Sequence, residues 1–564
     1  MRLTAPVHYL TETMEKTWLQ LSVLALICLC SFFVHPDAHD VDLMEARNFV
    51  TAREMVRNSN WLVPTLNGEL RIAKPPLPTW ITAAVRMAGG NRDNNALMRL
   101  PAAVAASLMV FSLWGLMRTL STDRLLPFMS AAILATCVII IDNGRRGTWD
   151  IYCHSFMLTA IWGLVHGWQK ETGMPGAFIS AGLFLAFSFM SKGPVSFFGL
   201  LIPFSAAYII TYGYRSVLAK WKWLCLSLAI LVLLSGIWPL YIYGIHPGIS
   251  KLVVSKEVTS WAGRHAQPFY FYLSFPVYTG VWVLFVILGF MKPYAKKHVD
   301  GYGRYGFVLL WIVISFFLLS AIPEKKERYL IPTIVPAAVM AGYLFRSLIR
   351  VFRHGSASRG DRRLLKAQML LTCLASLAVP VVLGGFGFHH GLISGTAAAG
   401  WGIAFFFISG LTWIYGKRGK AGGMFAINII LVCLINLAFL PVVYRSTLYR
   451  HNPDYQSLRN VRNLKGLEDL NYYHYGRIDP QAVWDIGRRV TPIIPGEKTF
   501  PLKELPIILF SEADPFLELP DALRKKLRID LLGTFRYHPG NAKKIKYVAR
   551  VQRAGEREPK ALSQ

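Results

Sequence analysis

The chain has 564 residues, of which 53% are hydrophobic and 16% are charged, and this composition is too apolar for a soluble globular protein of that length. Its formal net charge is +29, but the Lys and Arg residues gather in short loops between apolar runs. The excess is therefore the topology signal of a polytopic membrane protein that attracts anionic lipid headgroups, and a nucleic-acid partner is disfavoured.

Thirteen apolar runs are long enough to span a bilayer, since a helix needs about 17 to 25 residues to cross a hydrocarbon core about 30 Å thick. Basic residues fall in alternate loops, which places the N-terminus in the cytoplasm and, with an odd number of spans, the C-terminal region outside. The predicted spans are residues 17–34, 101–118, 125–141, 151–168, 175–190, 195–212, 221–244, 270–291, 305–322, 329–346, 366–385, 396–415 and 424–443.

The first outer loop, residues 35–100, is rich in charge directly after the first span. Apolar residues recur at helical spacing between Arg47 and Val56, which predicts a helix lying along the membrane surface. The chain then turns at Asn67-Gly68, and the two prolines after Lys74 hold this lysine on a rigid extended backbone. Such a lysine could grip a phosphate, although a snorkelling lysine that only anchors the loop has the same pattern.

Later outer-loop positions offer a second set of candidate residues. Asp150 begins the fourth span, where an aspartate either caps the helix or takes part in chemistry. Lys192 lies in the tight turn before the sixth span and is either a topological anchor or a ligand. Arg264 precedes a proline-aromatic run at the membrane interface, where the phosphate head of a lipid would lie.

The interiors of the predicted spans contain almost no Asp, Glu, Lys or Arg. A secondary transporter or proton pump usually needs such groups near the bilayer midplane, where its substrate and ion sites lie. Here the distinctive charged residues cluster at the outer ends of the spans. This distribution indicates chemistry at the membrane interface, on a substrate with a lipid tail in the bilayer and a polar head outside it.

Beyond the last span the chain changes character. Between residues 445 and 564, strand-like segments such as DLNYYHYGR and PIILFSEADPF alternate with short helix-like segments. The predicted architecture is therefore mainly α-helical. A transmembrane domain over residues 1–444 includes the first outer loop, and a small soluble α/β domain over residues 445–564 follows on the outer side.

Five outer-loop motifs occur in the order found in a known family. They are EARNFVTAREMVRNSNWLVPTLNG with KPPLPTW and RLPAA, then RRGTWDIYCHSFML, FMSKGPV, RHAQPFYFYL and SAIPEKKERYLIPTIVP. With these motifs the chain resembles the bacterial aminoarabinose transferase family, which are integral-membrane C-type glycosyltransferases related to the protein O-mannosyltransferases. The resemblance covers roughly residues 15–345 and continues more weakly through the rest of the chain.

The resemblance implies transfer of one sugar from a polyprenyl-phosphate carrier, such as undecaprenyl phosphate, to lipid A or another envelope acceptor outside a bacterial inner membrane. The phosphate leaving group needs cations to stabilise its growing negative charge. Lys74 and Arg264 are the first candidates for this role. The second-rank candidates are Lys192, Lys325, Lys326 and Arg328.

Carboxylates are needed on the acceptor side of such a reaction. An acceptor hydroxyl requires one as a base, whereas an ionised phosphate acceptor requires mainly positioning. The candidate acids are Asp42, Glu45 and Asp150. The family usually begins its first motif with Asp-Glu, but alignment on AREM places Met44 at the aspartate position. The key acid of the first loop is therefore either Asp42 or Glu45.

The sequence assigns no cofactor and no metal ligand, and it leaves the use of a divalent cation open. In the lipid A enzymes a metal-binding glutamate often precedes the lysine of KPP, but Ala73 stands there, and the outer-loop histidines are scattered. Two other functions fit the sequence. One is a protein O-mannosyltransferase-like enzyme that uses the same donor on Ser or Thr, and the other is a non-catalytic lipid-carrier transporter.

Overall fold

The computed structural model describes residues 15–170, 174–263, 266–444, 452–464, 466–467, 469–495, 500–538 and 540–555. Within them the chain forms two compact units. The first unit comprises the chain up to Pro36 with Ile72–Ile81 and Ala96–Val442, and the second comprises Asp37–Arg71, Thr82–Asn95 and the chain from Val443 onward. The mainly helical fold predicted from the sequence is confirmed.

Nineteen helices precede the C-terminal part of the described chain. They are α1 (Thr17–Cys28), α2 (Leu43–Arg57), α3 (Leu77–Ala88), α4 (Asn95–Leu120), α5 (Leu126–Ala135), α6 (Val138–Gly144), α7 (Trp149–Gln169), α8 (Pro175–Lys192), α9 (Ile202–Tyr212), α10 (Arg215–Leu218), α11 (Trp221–Ile245), α12 (Pro247–Gly263), α13 (Val283–Gly289), α14 (Lys292–Val299), α15 (Tyr305–Ala321), α16 (Ile331–Arg353), α17 (Arg359–Val382), α18 (Gly395–Lys417) and α19 (Ala421–Leu434). Shorter 3₁₀ and π segments extend several of them, including Phe269–Trp282 before α13 and Glu327–Leu330 before α16.

Eight helices in the described chain are long and apolar enough to cross a membrane, or nine if the bent pair α5 and α6, which meet at 64°, forms one span. Three shorter apolar helices cover Thr17–Phe33, Phe197–Tyr212 and Tyr305–Ala321, and α7 covers the remaining predicted span. Every predicted span thus coincides with a helix. The total of thirteen stays a prediction.

Helix α16 is the most buried of these candidate spans, with 78% of its apolar window inside the protein. Pro332 lies in its first turn, where a missing backbone N–H breaks no helical hydrogen bond. Phe345 of this helix stacks on Phe285 with ring centroids 4.4 Å apart and meets the edge of Phe425 at 5.2 Å. The first unit is therefore packed around α16.

The second unit contains a five-stranded sheet. Its strands are β3 (Asn471–Tyr475), β4 (Thr491–Ile493), β5 (Ile507–Ser511), β6 (Leu527–Phe535) and β7 (Lys546–Arg553), in the order β4-β3-β5-β7-β6. Strand β3 is parallel to β4 and β5, whereas β7 is antiparallel to β5 and β6. Short helices α20 (Pro480–Ile486), α21 (Pro515–Glu518) and α22 (Asp521–Arg524) connect the strands. An α/β segment thus follows the last membrane helix.

The second unit also takes in most of the first outer loop. It includes α2 and the hairpin of β1 (Thr65–Leu66) and β2 (Glu69–Leu70), which pair antiparallel. Ten of the fifteen residues of α2 are buried. The compact units therefore divide the chain differently from the predicted boundary at residue 444, because most of this loop is grouped with the C-terminal segments.

Candidate active site

The carboxylate of Asp150 lies between two cations inside the first unit. Its side chain is 2% exposed. Lys192 Nζ donates a hydrogen bond to Oδ1, and Arg328 Nε lies 3.3 Å from Oδ2. Helix α7 begins after Thr148, so Asp150 lies in the first turn and is not the capping residue. Three residues predicted as site candidates from separate parts of the sequence are therefore brought together.

The backbone around Lys192 explains its position. Helix α8 ends at this lysine, and Gly193 follows with φ of +73°, a left-handed conformation that costs glycine little. The Lys192 ammonium group is also 4.5 Å from the ring centroid of Tyr329, where the ring face attracts a cation. Burial of this lysine would be costly without a carboxylate, and Asp150 supplies it.

The segment before α16 adds further charge to the same cluster. Lys326 Nζ lies 2.8 Å from Glu324 Oε1, and the Tyr329 hydroxyl lies 3.5 Å from the same oxygen. Because Tyr329 also lies against Lys192 and Arg328, these side chains form one network. Three cations thus meet two carboxylates, and the network has an excess of positive charge that suits a phosphate.

Lys325 differs from its neighbours in this segment. Its ammonium group donates to the main-chain carbonyls of Gln267, at 3.1 Å, and Ile322, at 2.7 Å. The side chain is buried, and burial lowers its pKa. We therefore assign Lys325 to holding the 267 and 322 segments together, and not to phosphate binding.

Lys74 has a partner that sequence reasoning missed. Its Nζ lies 2.7 Å from Glu257 Oε2 on α12, and both side chains are partly exposed. A phosphate that binds Lys74 must compete with this carboxylate. The signal in the sequence was weak, since Glu257 is 183 residues away and stands in no motif. Glu324 and Tyr329 were missed as well, although both lie inside the SAIPEKKERYLIPTIVP motif.

Asp42 and Glu45 lie in the second unit, at the start of α2. Asp42 Oδ1 accepts hydrogen bonds from the backbone N–H groups of Met44, at 2.7 Å, and Glu45, at 2.8 Å. Glu45 Oε2 in turn accepts the backbone N–H of Asp42 at 3.2 Å. This is a capping box, and its signature of an aspartate three residues before a glutamate was readable in the sequence. Both candidate acids therefore help to hold the helix that carries them.

The described residues give no assignment for the divalent cation whose use the sequence leaves open. Among them, no group of three or more His, Cys, Asp or Glu side chains is placed to hold a metal ion. Ala73 offers no ligand, and His154 is buried in α7. The predicted phosphate ligand Arg264 and its neighbour His265 lie outside the described residues.

Two family profiles match the chain in succession. Residues 73–238 match the dolichyl-phosphate-mannose-protein mannosyltransferase family, and residues 252–393 match the Alg9-like mannosyltransferase family. The two matched segments contain Asp150, Lys192 and Arg328. In both segments the chain is thus similar to C-type glycosyltransferases, the class that its outer-loop motifs predicted.

Within that class the chain is similar to aminoarabinose transferases, and this predicted resemblance is confirmed. It is 24% identical over 389 residues to the undecaprenyl phosphate-alpha-4-amino-4-deoxy-L-arabinose arabinosyl transferase of Shewanella sediminis, a match that covers 65% of this chain and 67% of the relative. The enzyme of the same name from Edwardsiella ictaluri is 27% identical over 54% of this chain and 55% of its own length. The chain thus matches only about half the length of this second relative.

Solved structures extend the likeness over nearly the whole fold. The crystal structure of ArnT from Cupriavidus metallidurans bound to undecaprenyl phosphate superposes with a TM-score of 0.65 at 14% sequence identity, covering 94% of this chain and 97% of that one. The apo state of the same protein gives a TM-score of 0.64. At this identity the match establishes a shared fold.

Proposed function

We propose that the protein transfers one sugar from a polyprenyl-phosphate carrier, such as undecaprenyl phosphate, to lipid A or another glycolipid of the cell envelope. The observation that carries this proposal is the network of Lys192, Lys326 and Arg328 with Asp150 and Glu324, since it collects positive charge at the end of membrane helices. A fold shared with a protein solved in complex with undecaprenyl phosphate supports the same donor.

The reaction breaks the bond between the anomeric carbon of the sugar and the oxygen of the carrier phosphate. The electron pair stays on the phosphate, and the cations of the network together with Lys74 stabilise the added charge. The acceptor oxygen attacks the opposite face of the sugar, so the anomeric configuration is inverted. A hydroxyl acceptor gives its proton to a carboxylate, for which Asp42 and Glu45 are the candidates, whereas an ionised phosphate acceptor has no proton to lose.

The site would face the outer side of a bacterial inner membrane. This orientation follows from the basic loops predicted to be cytoplasmic and would place the second unit in the periplasm. Tags placed after Lys417 and near Gln564 would test it, because the first should be accessible only from the cytoplasm and the second only from outside. Both tags on one side would contradict the proposed topology.

The decisive experiment is mass spectrometry of lipid A and of envelope glycans and proteins from cells with and without the gene. We expect one acceptor species to carry an additional sugar only when the gene is present. Arg418→Gln, in a loop predicted to be cytoplasmic, is the matched control and should keep the modification. No gene-dependent mass on any acceptor would remove the proposal and favour the lipid-carrier transporter.

A second acceptor class deserves the same test. The match of residues 73–238 to protein mannosyltransferases favours an enzyme with the same donor chemistry that acts on Ser or Thr side chains. In that case the added sugar would be found on envelope proteins, and lipid A would be unchanged.

A further inference from the structure

Helix α2 carries a buried arginine, Arg53, about one turn before its C-terminal end. The side chain of Arg53 is 1% exposed. Its guanidinium group donates to Asp93 Oδ2 at 3.1 Å and to two main-chain carbonyls of α20, those of Val483 at 2.9 Å and Trp484 at 3.3 Å. An outer-loop helix and a C-terminal helix of the second unit are thus joined through one cation.

Because Arg53 is charged and buried, its guanidinium group needs hydrogen-bond acceptors in this junction. Burial lowers its pKa to about 10 and the carboxylate of Asp93 opposes that shift, so the group stays protonated at neutral pH. A protonated guanidinium without acceptors would be strongly disfavoured in this interior. The position of α2 is therefore tied to the carbonyl groups of α20, and small displacements are costly.

Aromatic and amide contacts reinforce the same junction. The rings of Phe49 and Trp484 are 5.2 Å apart, and the Arg53 guanidinium lies 5.4 Å from the Trp484 ring. Trp484 Nε1 donates to Asn95 Oδ1 at 3.0 Å. Asn67 exchanges two hydrogen bonds with the backbone of Val490, at 2.6 and 2.9 Å. Hydrogen bonds are directional, so these contacts fix the position of the outer-loop segments against the C-terminal segments as well as holding them together.

We propose that α20 is a positioning element for α2, with Arg53 and Trp484 as positioning residues that act on the Asp42–Glu45 cap. This inference rests on the proposed function, since it assigns the C-terminal segments a role in the transfer reaction. Glu45 and Arg53 are two turns apart on one helix, about 12 Å at 1.5 Å per residue. A helix of this length moves as a rigid body, and a displacement near 1 Å at the reacting groups can cost about 100-fold in rate.

The test compares four variants of the full-length protein with a matched control. Arg53→Met and Trp484→Ala remove the junction, whereas Arg53→Lys and Trp484→Phe keep the charge or the ring. Arg536→Gln removes an exposed ion pair of the same unit, whose arginine lies 2.9 Å from Asp454. The measurements are hydrogen exchange of the α2 amides, turnover of sugar transfer at saturating donor, and the affinity for undecaprenyl phosphate.

We expect Arg53→Met and Trp484→Ala to raise exchange in Leu43–Arg57 and to lower turnover about 10- to 100-fold, with donor affinity changed less than about twofold. Arg53→Lys and Trp484→Phe should recover part of the turnover, and Arg536→Gln should resemble the unmodified protein. Faster exchange with turnover within twofold of the unmodified protein would overturn the proposal, as would unchanged exchange in α2.

The proposed function can fail separately. If the unmodified protein transfers no sugar, the transfer reaction is refuted, and with it the catalytic part of this inference. The exchange of α2 amides in Arg53→Lys and Arg53→Met then still decides whether α20 holds α2, because that measurement needs no substrate.

Discussion

Each unit of the molecule buries one aspartate among several cations, and the two clusters differ in their other contacts. Around Asp93 in the second unit, Arg53, Arg86 and Arg462 also donate to main-chain carbonyls, including those of Val483, Asn91 and Asp485. Around Asp150 in the first unit, Lys192 and Arg328 meet a carboxylate and the face of Tyr329. Contacts between side chains can rearrange for an incoming ligand, whereas contacts to the main chain fix segments in place.

The difference separates structural from functional charge within the first unit as well. Lys325 is bound to two carbonyls and is buried, and its neighbours Lys326 and Arg328 keep about a quarter of their side chains exposed, at 24% each. Cations that are held by side chains, such as Lys192, Lys326 and Arg328, are the ones we expect to meet the carrier phosphate.

Removing one cation from the Asp150 cluster is the strongest test of whether this cluster has a functional role that the Asp93 cluster lacks. We expect Lys192→Met to lower sugar transfer more than about 100-fold, because the leaving phosphate loses a stabilising charge in a buried site. Asp150→Asn should be comparably inactive, and it should also destabilise the protein because Lys192 loses its only carboxylate contact among the described ion pairs. Lys417→Met is the control, and transfer by Lys192→Met within tenfold of normal would contradict the assignment.

Removing a cation from the Asp93 cluster should lower the stability of the second unit more than breaking an exposed ion pair does. We expect Arg53→Met to destabilise the second unit by about 3 kcal/mol, because Asp93 and two carbonyls lose a buried donor. Arg536→Gln, which breaks an exposed pair, should cost less than about 1 kcal/mol. Thermal unfolding, monitored through hydrogen exchange of the α2 and β3 amides, measures both losses of stability. Equal losses in the two variants would mean that main-chain contacts carry no special weight.

A buried histidine in the sheet should make the stability of the second unit depend on pH. His474 is buried in β3, and burial with the neighbouring Lys546 cation lowers its pKa to about 4, against the opposing effects of Gly476, Glu512 and Asp479. The unfolded chain, with an ordinary pKa near 6.5, binds this proton more readily. The stability that His474 contributes is therefore fully present above pH 6.5 and is lost as the pH falls toward 4.

We expect this loss to amount to about 2 kcal/mol between pH 7 and pH 4.5, measured as exchange of the β3 amides. His474→Gln can still accept from Lys546 Nζ, which lies 2.7 Å from His474 Nε2, and it should flatten that part of the pH dependence. The same slope in both proteins would show that His474 does not carry the effect.

The smallest expected effect concerns the half-exposed pair of Lys74 and Glu257. We expect Glu257→Gln to tighten binding of undecaprenyl phosphate about two- to fivefold, since the carboxylate no longer competes for the ammonium group. Lys74→Met should weaken binding by more than the Glu257 change strengthens it. Titration with a fluorescent polyprenyl phosphate measures both, and weaker binding by Glu257→Gln would show that this carboxylate assists the donor.

The sequence predicted the helical fold and much of the Asp150 cluster, because apolar run length and charge at span ends are local features. Asp150 and Lys192 were selected for their positions at the ends of spans, and Arg328 was selected for its place in an outer-loop motif. Their mutual contacts were beyond reach, since Arg328 is far along the chain from the other two. Pairing is set by how helices pack, and a single sequence holds no direct record of it.

The second unit was harder to predict for the same reason. Arg53 and the carbonyl of Trp484 are 431 residues apart, and Asn95 and Arg459 are 364 residues apart. The surface-helix pattern of residues 47–56 indicated a membrane contact, whereas the structure buries most of this helix and places the Phe49 ring 5.2 Å from that of Trp484. The capping role of Asp42 and Glu45 was the local feature that could have been read and was not.

The discontinuous make-up of the second unit has a consequence for biogenesis. At a translation rate of about 5 to 20 residues per second, α20 leaves the ribosome on the order of 20 to 90 s after α2. During that interval Arg53 lacks the Val483 and Trp484 carbonyls that accept its hydrogen bonds. The newly synthesised loop is therefore a target for chaperones and proteases. Cells that make this protein must therefore tolerate, or protect with chaperones, an incompletely folded outer loop until α20 has been synthesised.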